Sequence, residues 1–209
     1  IYSGSEISNS IRSSYFRNIF SSFSKNGDIA VAGIIAGPSG SSLLKIIKSV
    51  PSLVLQPSQF INNFALSYIN KSSKSYSEIF KNFFLRSLNM LPIALFITIL
   101  FFNYSGPFFI FVYQIELTKI QNIIFSFLLF LSFFILLFSW TIPLHIYRNS
   151  YKTITLNSLI GSSISLILLG CGLFFKNQIF VYFALICGIF TTFVLNTFSH
   201  IVKINNSIK

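Results

Sequence analysis

The stretch IQNIIFSFLLFLSFFILLFSWTIPLHIY, residues 120–147, decides the fold because it runs for 28 residues without a Lys, Arg, Asp or Glu. A charged side chain at the centre of a bilayer helix costs roughly 2.5–3.5 kcal/mol on insertion scales, so lipid selects charge-free runs. A transmembrane helix needs about 20 mostly apolar residues. This stretch is therefore long enough and apolar enough to cross a membrane.

The same pattern continues on both sides of this stretch. The 114 residues from Asn89 to Val202 contain only five Lys, Arg, Asp or Glu, and these fall in three short gaps. The gaps separate four apolar runs, so the sequence predicts spans at about 90–113, 121–144, 157–175 and 179–202. About three residues around Lys176 join the last two runs, which predicts an antiparallel hairpin.

Composition agrees with a membrane protein. Mean hydropathy is +0.74, with 53% hydrophobic and only 9% charged residues. Soluble domains carry charge on roughly a quarter of their residues. We therefore expect an all-α membrane protein, with about four transmembrane helices preceded by amphipathic and irregular segments. Its predicted parts are an N-terminal region (1–88), a transmembrane region (89–203) and a short basic tail (204–209).

The N-terminal region carries basic amphipathic patterns. Residues 7–23 place apolar side chains at helical spacing opposite Ser and Arg, which is typical of a membrane-surface helix, a mitochondrial targeting segment or a helix packed on a partner subunit. Residues 26–42, rich in Gly and Ser, predict a flexible piece whose apolar run is too short to span. Six basic residues are candidates for contact with lipid headgroups or a partner: Arg12, Arg17, Lys45, Lys48, Lys81 and Arg86.

Charge asymmetry predicts the orientation. The net charge is +11, and with four spans 13 of the 15 Lys and Arg residues share one side of the membrane. Positive charge marks the cytoplasmic side in bacteria and the equivalent face in organelles. Both termini should therefore face the cytoplasm, or the matrix if the protein is mitochondrial. The same balance favours anionic lipids as partners rather than nucleic acid.

No catalytic constellation is visible in the sequence. The four predicted spans contain no Asp, Glu, Lys or Arg, whereas pumps and ion carriers usually place such groups within their spans. His145 and His200 fall at the same predicted membrane face, where solvated interfacial histidines are favoured over a bis-histidine haem or a shared metal. Cys171 and Cys187 have no metal-binding spacing. We expect no enzyme activity and no cofactor, but bound phospholipid.

Proline marks a special point in the first predicted span. Pro107 has no backbone N–H, so the carbonyl of Asn103 loses its normal helical partner and the helix is expected to kink. Asn103, Tyr104 and Pro107 are a candidate pocket for a quinone or lipid. The alternatives are a packing kink, which is the commoner arrangement, and a turn between two half-spans at residues 104–107.

Small residues recur at four-residue intervals in the third and fourth predicted spans. Such spacing lets two helices approach closely where lipid supplies no hydrophobic drive. The second span is rich in Phe and Leu, which favours contact with lipid or a large neighbouring subunit. The predicted helix-packing residues are Gly161, Ser165, Gly170, Gly172, Ala184, Gly188 and Thr192.

These patterns predict a structural or accessory transmembrane subunit of a larger inner-membrane assembly, most simply a mitochondrial respiratory-chain or ATP synthase complex. Its partners would be other membrane subunits of a hetero-oligomer. The alternative is a stand-alone carrier, lipid-handling protein or translocase component with a path near Pro107. Because the sequence starts at Ile1, we expect further residues upstream, and no conventional signal peptide is visible.

Overall fold

The computed structural model confirms an all-helical architecture. It describes the backbone of residues 4–72, 75–148 and 150–207, and the side chains of Tyr15, Ile19, Ser22 and residues 26–72, 75–148 and 150–201. Within these ranges the chain forms helices and no strand. The helices are α1 (Gly4–Leu55), α2 (Ser58–Lys71), α3 (Tyr76–Tyr113), α4 (Lys119–Leu137), α5 (Thr141–Tyr147), α6 (Tyr151–Phe175) and α7 (Gln178–Ser207).

Capping boxes set the first residues of α3 and α4. Ser75 accepts a hydrogen bond from the Glu78 N–H at 3.4 Å, and the Glu78 carboxylate accepts from the Ser75 N–H at 3.2 Å. Thr118 and Gln121 make the same reciprocal pair at the start of α4. Each box satisfies two backbone donors that the first turn of a helix leaves without partners.

The N-terminal third is more helical than expected. Residues 26–42 belong to α1 instead of forming a flexible piece, although the backbone leaves helical geometry at Ala36 and Gly37. Gly37 has φ +70° and ψ −167°, which only glycine adopts readily. The next interruption, at Gln56 and Pro57, separates α1 from α2.

The second predicted span is divided. Residues 138–140 interrupt the helix between α4 and α5. Pro143 explains part of this break, because proline has no N–H to donate to Ser139 and is tolerated best in the first turn of a new helix. By contrast, α3 runs through Pro92 and Pro107 without a non-helical residue, so the alternative of a turn at residues 104–107 is wrong.

The chain divides into two compact units. The first combines residues 1–44 with residues 141–209, and the second comprises residues 45–140. In the first unit, α6 and α7 form the antiparallel hairpin that the short connection predicts. Its turn is made by Lys176, in left-handed conformation, and by Asn177, whose side chain accepts a hydrogen bond from the Ile179 N–H at 2.9 Å.

The second unit is an antiparallel pair of α3 and α4, joined by aromatic rings. Phe109 and Phe125 meet edge to face with ring centroids 4.8 Å apart, and both are fully buried. Towards the other end of the pair, Phe83 stacks on Trp140 at 5.5 Å. The end of α1 joins this unit, where the Ser49 and Tyr113 hydroxyls are 3.0 Å apart.

Within the described residues, five helical stretches are long and apolar enough to cross a membrane: Asn26–Lys71, Tyr76–Tyr113, Lys119–Tyr147, Tyr151–Phe175 and Gln178–Ile201. They support an integral membrane protein, but the predicted count of four spans is not confirmed. The additional stretch covers the end of α1 and all of α2. If it crosses the membrane with the other four, the two termini lie on opposite sides rather than together.

Candidate functional site

The first unit buries a group of polar side chains where α5, α6 and α7 meet. We call it the histidine–asparagine cluster: His145 on α5, Asn157 on α6, and Asn196 and His200 on α7. His145 and His200 are 1% and 0% exposed, and their ring centroids are 3.7 Å apart. The expectation of solvated interfacial histidines is therefore wrong, because both rings are enclosed by protein.

Hydrogen bonds connect the cluster across the helices. The Asn157 side chain donates from Nδ2 to Oδ1 of Asn196 at 2.9 Å. His145 Nε2 lies 3.1 Å from the Asn196 carbonyl oxygen, and His200 Nε2 lies 3.0 Å from the carbonyl oxygen of Thr141. A carbonyl oxygen can only accept, so each of these bonds requires the histidine tautomer that has its proton on Nε2. The cluster thus fastens the short helix α5 to the α6–α7 hairpin.

This geometry indicates a structural role for the histidine pair. The two rings contact each other directly, which leaves no space between them for haem iron or another metal ion. In the described part of the chain, no group of three or more His, Cys, Asp or Glu residues is placed to hold a metal. Buried polar groups that satisfy one another specify one arrangement of the helices around them.

The close packing of α6 on α7 depends on two glycines, which have no side chain to separate the helices. A Cβ added to Gly161 would collide with Oγ1 of Thr192 and lie 2.6 Å from the carbonyl oxygen of Gly188. A Cβ added to Gly188 would collide with Oγ of Ser165 and lie 3.0 Å from the Gly161 carbonyl oxygen. The hydroxyl of Ser165 also donates to the carbonyl of Ala184. Five of the predicted packing residues therefore lie together at the interface.

The two other predicted packing glycines differ from each other. A Cβ on Gly172 would make ordinary contact with Cβ of Phe180 at 3.4 Å, close to the hairpin turn. Gly170 is exposed and has no atom within 4 Å of the position that a Cβ would occupy. The structure thus places Gly172 at the edge of the interface and Gly170 outside it.

Two polar pairs join α3 to α4 in the second unit. Near one end, the buried Ser105 hydroxyl donates to Oδ1 of Asn122, and Nδ2 of Asn122 donates to the carbonyl oxygen of Phe102 at 3.4 Å. Towards the other end, Nε1 of Trp140 donates to Oγ of Ser87 at 2.8 Å, and that hydroxyl donates to the Leu137 carbonyl oxygen at 2.7 Å.

The residues of the candidate pocket lie on an outer face of α3. Asn103 and Pro107 are exposed, and Tyr104 is 66% exposed. Asn103 donates from Nδ2 to the carbonyl oxygen of Ile99, four residues earlier in its own helix, at 3.0 Å. These three side chains therefore face away from the chain's own interior.

The candidate basic contacts are mostly on the surface. Lys45, Lys81 and Arg86 are exposed and Lys48 is half-buried. The side chains of Arg12 and Arg17, with most of the predicted 7–23 stripe, lie outside the described residues. Lys45, Lys48, Lys81 and Arg86 all lie outside the histidine–asparagine cluster.

One acidic residue was not singled out from the sequence. Asp28 is 1% exposed, and it lies in the candidate span Asn26–Lys71, which was not expected to cross the membrane. Its neighbour Gly27 approaches α6, since an added Cβ would lie 3.5 Å from Cδ1 of Leu169. The four predicted spans contain no Asp, Glu, Lys or Arg, whereas this fifth stretch does.

The asparagine pair was also missed, although the sequence contained a signal for it. Asn196 and His200 are four residues apart and hence on one face of a helix. Asn157 and Asn196 lie equally far from the hairpin turn at Lys176 and Asn177, so an antiparallel hairpin brings them opposite each other. Comparison with protein-family models, curated proteins and solved structures gives no match for this chain.

Proposed function

We propose that the chain is a structural or accessory transmembrane subunit of a larger hetero-oligomeric complex, without catalysis of its own. The observation that carries this proposal is the exposure of α3. Only 11% of its most apolar 18-residue window is buried within the chain. With 38 residues, α3 is about 57 Å long, whereas the hydrocarbon core of a bilayer is about 30 Å thick. Lipid alone does not cover a helix of this length.

The apolar surface continues onto neighbouring segments. Phe60 and Phe64, one turn apart on α2, are 79% and 61% exposed, and Leu85 and Leu88 are exposed beside Arg86 on α3. Contiguous exposed apolar side chains mark surfaces that contact protein or membrane. Other membrane subunits and anionic phospholipid are the partners that this combination of apolar and basic side chains fits.

We further propose the mitochondrial inner membrane as the location, with a respiratory-chain or ATP synthase complex as the assembly. Support comes from the basic, Ser-rich and acid-poor segment at residues 7–23. The proposed orientation puts both termini in the matrix. A tagged full-length precursor found outside mitochondria would refute the location.

The orientation can be tested independently of the complex. Tags at the two ends, probed with protease in sealed mitoplasts, should both be protected if four stretches cross the membrane. If instead one tag is digested and the other protected, the helical stretch Asn26–Lys71 is a fifth span and the proposed orientation is wrong.

The subunit proposal is tested by extracting native membranes with a mild detergent and separating them on a native gel. We expect the tagged chain in one band together with other polypeptides, in a ratio that stays constant through a second purification. A chain that migrates alone with lipid and detergent would contradict the proposal.

A carrier or translocase component is the second candidate, favoured by the buried Asp28. An ionisable residue within a span is a common feature of ion and proton pathways. Purified chain in proteoliposomes should then move a solute or lipid, and Asp28→Asn should abolish that movement. If solute or lipid moves no faster across the proteoliposome membrane than across protein-free vesicles, this candidate is excluded.

A further inference from the structure

An amide lies on the outer face of α3 near the middle of its span. The charge-free run between Arg86 and Glu116 has its midpoint at residue 101, so Asn103 lies about 3 Å from that midpoint along the helix axis. Asn103 is exposed, and its one hydrogen bond runs from Nδ2 to the carbonyl of Ile99 in the same helix. Its side-chain oxygen and second N–H have no bond within the described chain.

Lipid offers no partner to these groups. Hydrocarbon has neither donors nor acceptors, so a polar group in the bilayer core is unfavourable unless protein or water supplies its hydrogen bond. Pro107 adds to the demand, since it supplies no N–H to the carbonyl of Asn103. Two polar side-chain groups and one carbonyl are therefore concentrated on one short part of α3.

Three other asparagines of the charge-free helices are satisfied inside the chain. Asn122 bonds to Ser105 and to the Phe102 carbonyl, and Asn157 bonds to Asn196. These three side chains reach a neighbouring helix of their own unit, whereas the Asn103 side chain returns to its own helix. The contrast indicates that the partner of the Asn103 amide lies outside the α3–α4 pair.

The surface around Asn103 allows a helix to approach closely. Ile99, Asn103, Gly106, Pro107 and Ile110 follow one another at intervals of three and four residues, which places them on one face. Gly106 has no atom within 4 Å of the position that a Cβ would occupy. Ile99 and Ile110 are 57% and 49% exposed on either side of this gap. Small residues at such a face are typical of helix crossings in membranes.

We infer that this face of α3 docks a transmembrane helix of a different subunit, which presents a Ser, Thr, Asn or Gln side chain to Asn103 near the middle of the bilayer. The inference rests on the proposed subunit role and adds the contact surface and the chemistry of the partner. One hydrogen-bonded pair between the two helices satisfies the amide, and Gly106 provides the space for their approach.

The first test substitutes Asn103 in the full-length chain in its native membrane. Asn103→Leu should lower the ratio of complex-bound to free chain roughly three- to fifteen-fold, the range for one interhelical hydrogen bond in a membrane. Asn103→Gln should restore most of the complex. Val112→Leu is the matched control, because Val112 is 49% exposed on the opposite side of the same helix.

The second test identifies what covers the face. A photo-crosslinker at position 103 should attach to a transmembrane helix of another polypeptide, next to a polar residue, and one at position 112 should not attach to that helix. Cross-linking at position 103 to a second copy of this chain, or to lipid only, would overturn the inference. So would labelling of Asn103→Cys by a membrane-impermeant maleimide in the Cys171→Ala, Cys187→Ala chain, because that result shows water at this face.

The two proposals fail in different ways. If the unmodified chain migrates alone on the native gel, the subunit role itself is wrong. If it remains in a large complex that Asn103→Leu leaves intact, the subunit role stands and the docking surface at Asn103 is wrong.

Discussion

Polar side chains bond across helices in both units, but in the unit built on α3 and α4 one asparagine, Asn103, bonds only within its own helix. Asn157 and Asn196 satisfy each other in the first unit, while Asn103 in the second faces outward. The packing also differs. Glycines bring α6 and α7 together, and aromatic rings fill the space between α3 and α4.

This difference teaches which part of the molecule is complete without a partner. A close helix pair with satisfied polar groups holds its arrangement by itself. A long helix whose outer face carries an amide without a partner on another helix is not held in this way. We therefore expect the α5–α7 unit to be stable in the isolated chain, and the proposed subunit role predicts that a partner covers the α3 surface.

The largest effect is expected from filling the α6–α7 contact. Gly161→Val adds atoms where Thr192 and the Gly188 carbonyl already lie, and overpacking of this kind costs about 1–3 kcal/mol or more. Unfolding of the purified chain in mixed micelles, followed by far-ultraviolet circular dichroism, measures the loss. Gly170→Val is the control and should change little, because its surroundings are open. Equal losses in the two variants would contradict the close approach at Gly161.

The next effect compares two asparagines directly. Asn157→Leu leaves Asn196 without its buried partner and should destabilise the purified chain by about 1–2 kcal/mol. Asn103→Leu should leave the stability of the purified chain unchanged within about 0.5 kcal/mol, since no other helix in the described part of the chain bonds to it. A loss at Asn103 as large as that at Asn157 would show that α3 is covered by its own chain.

A smaller effect is expected in the aromatic core of the second unit. Ser87→Ala removes the acceptor of the Trp140 N–H and should cost about 1 kcal/mol. Trp140 is the single tryptophan of the chain and is 2% exposed, so its fluorescence reports on this unit. We expect the fluorescence transition to occur at a lower denaturant concentration than in the unmodified chain. Ser163→Ala, which changes an exposed serine, is the control and should not shift the transition. An unchanged transition would mean that this hydrogen bond contributes nothing to stability.

The sequence predicted the elements that depend on local pattern. Long charge-free runs identified α3, α4, α6 and α7, and the short connection at Lys176 predicted the hairpin of α6 and α7. Both signals can be seen in the sequence because each lies within one continuous segment. The close α6–α7 packing was foreseen from Gly161, Ser165 and Gly188. The outer position of Asn103 was not, since which face of a helix meets a neighbour depends on tertiary packing.

Other features needed contacts between distant residues. His145 and His200 are 55 positions apart, and no local pattern shows that their rings contact each other. The helical character of residues 26–42 was missed because Gly33, Gly37, Pro38 and Gly40 are typical of loops, yet only Ala36 and Gly37 leave helical geometry. Asp28 was passed over for the same reason, since the stretch around it was not read as a span.

The most direct test of the subunit role is native mass spectrometry of the tagged full-length chain, released from its own membrane in lipid nanodiscs. The proposed role predicts a particle that contains the chain with other polypeptides in fixed ratio, well above the 23.7 kDa of the chain itself. A particle that contains only this chain and lipid, as one copy or several, would contradict it.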